Sequence, residues 1–118
     1  MTRACMIRDG ERELCVDTTV PLLHLLGKRY GMLILGVLSA ERSVQFNGIV
    51  AAIPHSNSTI ISKTLRDMVE LGVITKESTG SRIRYTLTPF GNELRKSVMP
   101  LLRFAADQTV NRGQVEGK

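Results

Sequence analysis

Residues Val44–Gly91 read VQFNGIVAAIPHSNSTIISKTLRDMVELGVITKESTGSRIRYTLTPFG. Phe46–Ile53 has an apolar side and halts before Pro54, because a residue preceding proline is pushed out of the helical region. Asn57–Leu71 is the best-patterned segment of the chain. On a 3.6-residue wheel Ile60, Ile61, Leu65, Met68 and Leu71 gather on one side. Thr59, Ser62, Lys63 and Arg66 fall opposite, at the spacing i, i+3, i+4, i+7. Gly72 ends this helix. Val73–Ser78 and Arg82–Thr88 then read as two strands joined by Thr79-Gly80-Ser81. In the second strand Ile83, Tyr85 and Leu87 alternate with Arg82, Arg84 and Thr86, so one face packs inward and the two arginines point out. The order helix, turn, helix, two-stranded wing predicts a winged helix-turn-helix, mainly α with a small β-hairpin wing. Such a unit presents a polar helix face and a basic hairpin to one partner, and double-stranded DNA fits both. Asp67 and Glu70 come late in the second helix, so its N-terminal half is the end expected in the groove.

Working outward, Thr88-Pro89 is a helix start, with Thr as N-cap and Pro at the first position. That helix is expected to run to Val110 on a stripe of Leu94, Val98, Leu101, Leu102 and Ala105. Pro100 predicts a kink or break just before it. Upstream, Ser43–Gln45 reads as a short strand. Tyr30–Ser39 reads as a helix with Leu33, Ile34, Val37 and Leu38 as its apolar side. A Leu-rich helix precedes it, capped by Asp17 or Thr18 and ended by Gly27. The expected organisation is an N-terminal arm over 1–15, a DNA-binding and dimerisation domain over 16–110, and a mobile tail over 111–118.

Bulk properties agree. The 118 residues fit one domain, and 42% apolar residues suffice for a core of Leu, Ile, Val and Met, since Trp is absent. The net charge is +5. Residues 42–96 carry eight Lys/Arg against four acids, whereas residues 1–41 balance at five against five. A basic excess inside the predicted winged unit is the footprint of phosphate binding. The longest apolar stretches fall short of a membrane span, and the charged N-terminus does not read as a signal peptide, so a cytoplasmic protein is expected.

Catalytic and metal chemistry find no support. Gly27-Lys28 lacks the upstream glycine and following Ser/Thr of a phosphate-binding loop. His24 and His55 are far apart, with no Cys or acid cluster at ligand spacing, so no metal and no cofactor is expected. His24 lies in an apolar helix and reads as a core or dimer-seam residue. No nucleophile–base constellation is arguable, and no enzyme is expected. Cys5 and Cys15 are the two thiols; they cannot make a disulfide framework, and a cytosolic setting disfavours a structural bridge.

Several motifs together resemble the HxlR-type transcriptional regulators, relatives of the MarR group. They are Leu25-Leu26-Gly27-Lys28-Arg29-Tyr30-Gly31-Met32-Leu33-Ile34-Leu35, Gln45-Phe46-Asn47-Gly48-Ile49, Ile53-Pro54, the run Leu65–Ile74, Tyr85-Thr86-Leu87-Thr88 with Gly91, and Met99-Pro100-Leu101-Leu102. The resemblance covers Leu22–Ala105. It implies a homodimer joined through N- and C-terminal helices, with recognition helices about 34 Å apart on a palindromic site. Some members sense oxidants through a Cys-Pro pair ahead of the first core helix. Here Cys15 is followed by Val16, Tyr30 stands for the family Trp, Gln45 for an Arg, and the wing is shorter and lacks Pro-Pro.

The expected site residues follow. Asn57, Ser58, Thr59, Ser62, Lys63 and Arg66 are assigned to groove readout, and Arg82 and Arg84 to the wing contact with backbone or minor groove. Lys28, Arg29 and Arg42, near helix starts, are assigned to phosphates. Cys15 reads either as an unremarkable thiol or as a redox sensor, with Arg3, Arg8 and Arg12 close in sequence. An unidentified small-molecule or redox inducer is a further expected partner. The competing readings are a winged helix that binds protein and a sequence-neutral architectural DNA binder.

Overall fold

The computed structural model describes residues 3–17 and 19–116. Ten elements follow in chain order: β1 (Arg3–Asp9), β2 (Arg12–Asp17), α1 (Pro21–Leu26), α2 (Gly31–Val37), β3 (Val44–Gln45), α3 (Phe46–Ala52), α4 (Ser58–Glu70), β4 (Ile74–Thr79), β5 (Arg82–Leu87) and α5 (Pro89–Glu116). The expected winged helix-turn-helix is present. Strands β4 and β5 pair antiparallel from Ile74↔Leu87 to Thr79↔Arg82, and β3 joins the far edge of β5 to give the order β3-β5-β4.

One core serves α1 to α5 and the wing. Leu25, Ile34, Leu35, Leu38, Ile49, Ile61, Leu65, Met68 and Val73 are each about as buried as a side chain can be, with Ile74, Tyr85 and Leu87 closing it from the sheet. Burying one such Leu or Ile is worth roughly 1.5–3 kcal/mol, so this cluster fixes how α4 and the wing sit together. The join between wing and α5 is tight. The Thr88 hydroxyl donates towards the carbonyls of Gly72 (2.6 Å) and Val73 (3.0 Å) and accepts from Gly91 N–H (3.0 Å). A Cβ on Gly91 would strike the Val73 carbonyl oxygen, so only glycine fits there.

Four expectations are corrected. The arm over 1–15 is instead a β-hairpin, β1–β2, in which Gly10 (φ 65°) opens a two-residue loop between Asp9 and Arg12. Asp9-Gly10 is a sequence that such a loop favours. Cys5 and Cys15, expected as separate thiols, are joined by a disulfide across this hairpin, at the irregular step between the pairs Ala4↔Val16 and Ile7↔Leu14. The last helix does not end at Val110 or break at Pro100; α5 runs unbroken to Glu116, and Asn111–Glu116, expected as tail, belong to it. Pro100 is exposed, so water can reach the backbone there and serve the carbonyl that proline leaves without a donor. Finally, Ile60, placed on the apolar side of its helix, is 48% exposed, whereas Leu33 and Leu101, on the expected stripes, are 42% and 52% exposed on the single chain.

Capping also differs. Thr18 lies outside the described residues. Asp17 accepts from Thr19 N–H and Thr19 hydroxyl instead of capping α1, whose N-cap is Val20. His24, expected either in the core or in a dimer seam, is exposed on the single chain and so does not belong to the core.

The radius of gyration is 16.4 Å, against about 13–14 Å for a compact chain of this length. The excess comes from the projecting β1–β2 hairpin and from α5, which is about 42 Å long at 1.5 Å per residue.

Candidate nucleic-acid interface

Helix α4 is aimed by its inner face. Ile61, Thr64, Leu65 and Met68 are buried, and the Thr64 hydroxyl donates back to Ile60 carbonyl (2.8 Å), satisfying the one buried polar side chain. Everything on the outer face follows. Asn57, Ser58, Thr59, Ser62, Lys63 and Arg66, the six residues expected in the groove, are all exposed. Asn57 does a second job: its Oδ1 accepts from the N–H of Thr59 (2.8 Å) and Ile60 (3.2 Å) as the N-cap. Only its amide nitrogen is left to face a partner. The preceding turn contains His55 in the left-handed region (φ 62°), held in part by Tyr30 hydroxyl donating to His55 carbonyl (3.4 Å).

The wing cations divide by strand register. Cross-strand partners share a face, so Lys76 shares a face with buried Tyr85, and Arg84 shares the other with Glu77. Arg84 is half-buried and donates to Ser43 Oγ (3.3 Å), which ties β5 to the loop before β3. Arg82 is fully open at the hairpin tip. Between α4 and the wing lies a cleft of about 480 Å³ bordered by Gln45, Asn47, Ser62, Lys76 and Arg82, with Tyr85 in its wall. Lys76 was missed in the sequence because only the arginine alternation of β5 was followed. Its pairing with inward Tyr85 is the signal that locates it.

The three cations near helix starts have separate fates. Lys28 donates to Asp67 Oδ2 at 2.6 Å, joining the α1–α2 turn to α4. That hydrogen bond, more than any longer-range charge, holds the Asp67 carboxyl below its ordinary value despite partial burial. Arg29 lies over the Tyr30 ring, 5.9 Å from its centroid. Arg42 is exposed in the loop before β3. Elsewhere, Arg95 donates to Gly36 carbonyl (2.9 Å) and Lys96 pairs with Glu93 (3.3 Å), so these two charges of the basic segment serve α5. Burial raises the Tyr85 phenol above its ordinary value, so it is a neutral hydroxyl at physiological pH. Among the described residues, no group of His, Cys, Asp and Glu could hold a metal ion, and no helix is long and apolar enough to cross a membrane.

The model of the HxlR-like helix-turn-helix family matches residues 25–112, three quarters of the chain. The chain belongs to the HxlR-like family. It is similar to the crystal structure of a possible HxlR-family transcriptional factor from Thermoplasma volcanium: 38% identity, TM-score 0.80, covering 93% of this chain and 98% of that one. It is also similar to the YodB transcriptional regulator of Bacillus subtilis. The reduced form gives 26% identity and TM-score 0.63 over 80% of this chain and 93% of that one; the quinone-bound form gives 28% and 0.60 over 74% and 91%. No curated protein matches the chain. This HxlR-like chain is thus a transcriptional regulator with a winged-helix fold of the MarR-related kind.

Proposed function

We propose that this regulator binds duplex DNA sequence-specifically as a homodimer, with α4 in the major groove and the wing on the backbone or in the minor groove. The observation that carries this reading is the exposed face of α4. Short polar side chains at Ser58, Thr59 and Ser62 permit close approach to base edges, and Lys63 and Arg66 supply the cations. Arg82 flanks that face from the wing tip, with Arg84 behind it; Arg29 and Arg42 extend the basic surface, and Lys28 does so if it leaves Asp67. Anisotropy with a duplex selected from a random pool, against a random duplex, across a salt series tests it. Tight, selective and salt-sensitive binding is expected. Equal binding to both duplexes would favour an architectural role, and no binding at low salt a protein-interaction module.

The dimer is supported by apolar surface left uncovered on one chain. Val20 and Leu23 at α1, Leu33 on α2 and Phe90, Leu101 and Phe104 on α5 are 37–63% exposed, and large apolar side chains left open on terminal helices suit a partner copy. Light scattering at micromolar concentration should give twice the chain mass; the mass of one chain would overturn it.

Cys15 enters as a redox element. Its disulfide to Cys5 is exposed, and a dithiol reductant would open it, yielding two thiols while the reductant takes on the disulfide. Arg3, Arg8 and Arg12 sit on the same hairpin as the disulfide. The YodB structures in reduced and quinone-bound forms point the same way for a relative. DNA binding that differs between oxidised and reduced protein, and a Cys15→Ser variant blind to oxidants, are expected; a variant that responds as wild type does would remove the role.

A further inference from the structure

We infer that the cleft between α4 and the wing is a seat for one phosphate of the DNA backbone, with Lys76 as its central cation. The inference rests on the DNA-binding reading above and names a contact that the readout residues do not supply.

Two adjoining cavities lie along the wing side of α4, of about 480 Å³ and about 300 Å³. Ser62, Lys76 and Tyr85 line both, so Lys76 stands on the ridge between them, facing the recognition helix. The larger cavity has cations at Lys76 and Arg82, neutral donors at Ser62, Ser81, Asn47 and Gln45, and no acid. The smaller one adds Arg66 but also Glu70. A phosphodiester therefore has a preferred position, at the Arg82 end and away from Glu70. Among the described residues Lys76 makes no ion pair, whereas Lys28 and Lys96 are each engaged with an acid. Its nearest sequence neighbour of opposite charge, Glu77, lies on the other face of β4 beside Arg84.

The position matters for mechanism. Lys76 is carried by β4, which Ile74 anchors in the core and which pairs with β5 at the buried Tyr85. A phosphate held there fixes how deep α4 enters the groove. Backbone contacts of this kind position a protein without reading sequence.

The test compares Lys76→Gln with wild type on the selected and the random duplex across a salt series. Lys96→Gln, with the same change in net charge on α5, serves as control. Circular dichroism checks the fold, which an exposed strand residue should not disturb. Expected are an equal fold-loss on both duplexes, a salt slope lower by about 0.9, recovery in Lys76→Arg, and no change in slope for Lys96→Gln. A scan of single uncharged methylphosphonates along the selected duplex should find one backbone position per half-site that weakens wild type and not Lys76→Gln. If Lys63→Gln weakens binding while Lys76→Gln leaves affinity and slope untouched, the DNA reading stands and the phosphate seat falls. If wild type binds no duplex at low salt, both fall. If inorganic phosphate at constant ionic strength shifts the Ser62 and Tyr85 amide resonances and Lys76→Gln abolishes the shift without altering DNA binding, the cleft takes a free oxyanion and the inference is overturned.

Discussion

The molecule contains two hairpins of nearly the same build. In β1–β2 a two-residue Gly10-Glu11 loop joins Asp9 to Arg12, and in β4–β5 a Gly80-Ser81 loop joins Thr79 to Arg82. Both glycines have the positive φ, 65° and 62°, that such loops require at the first position. What differs is what lies behind them. The wing buries Ile74, Tyr85 and Leu87 and gains a third strand from β3. The N-terminal hairpin has no buried residue, leaves Met6 82% exposed, and carries the Cys5–Cys15 disulfide instead. A lone two-stranded hairpin is marginal in water. One is therefore held by the shared core and the other by a covalent bond, and their stabilities should respond to different perturbations.

The largest effect that can break this contrast is in the wing. Leu87→Ala should lower global stability by about 2–5 kcal/mol, read by urea unfolding, whereas Leu14→Ala in the other hairpin should change it by less than about 1 kcal/mol. Equal losses would mean that the N-terminal hairpin packs on something. Next, reduction with a dithiol should raise amide exchange across β1–β2 while shifting the global transition by no more than about 0.5 kcal/mol. The same treatment should leave β4–β5 amides protected. Third, Gly80→Ala should cost about 1 kcal/mol in the global transition, and Gly10→Ala should show only as faster local exchange.

The smallest effect concerns pH. The ion pairs parallel the hairpins: Lys28–Asp67 is short and half-buried, while Arg8–Glu13 spans 3.8 Å on the open surface. Asp67 titrates lower in the folded chain than its ordinary value of 3.8, first because Lys28 donates to it. Its contribution is therefore whole above that value and is lost as pH falls through the lowered one. With both side chains a third or more exposed, the amount is below about 1 kcal/mol. Lys28→Ala should remove this acid-range dependence, measured by thermal unfolding from neutral to low pH, and Arg8→Ala should leave it in place.

The residues that proved legible share a cause. Ile61, Leu65 and Met68 repeat at helical spacing, and Tyr85 and Leu87 alternate, because each faces the core; the outer face of α4 follows by exclusion. The first hairpin was illegible for the complementary reason. Its first strand is exposed throughout and its second half-buries only Leu14 and Val16, so its sequence carries little apolar period, and two cysteines ten residues apart do not announce a pairing. Ile60 was misplaced because a wheel gives direction around one helix and not the width of what packs against it.

By itself the sequence determined the order of elements from α1 through the wing, the basic excess of residues 42–96, and the family to which the chain belongs, since all three are written in local periodicity and composition. Tertiary structure alone decided which cations remain open. Lys28 is drawn to Asp67, Arg84 to Ser43 and Arg95 to Gly36, while Lys76 is turned into the cleft beside Ser62. Charge is a property of a residue, but its availability depends on partners that can lie dozens of positions away in the chain and are brought near only by packing.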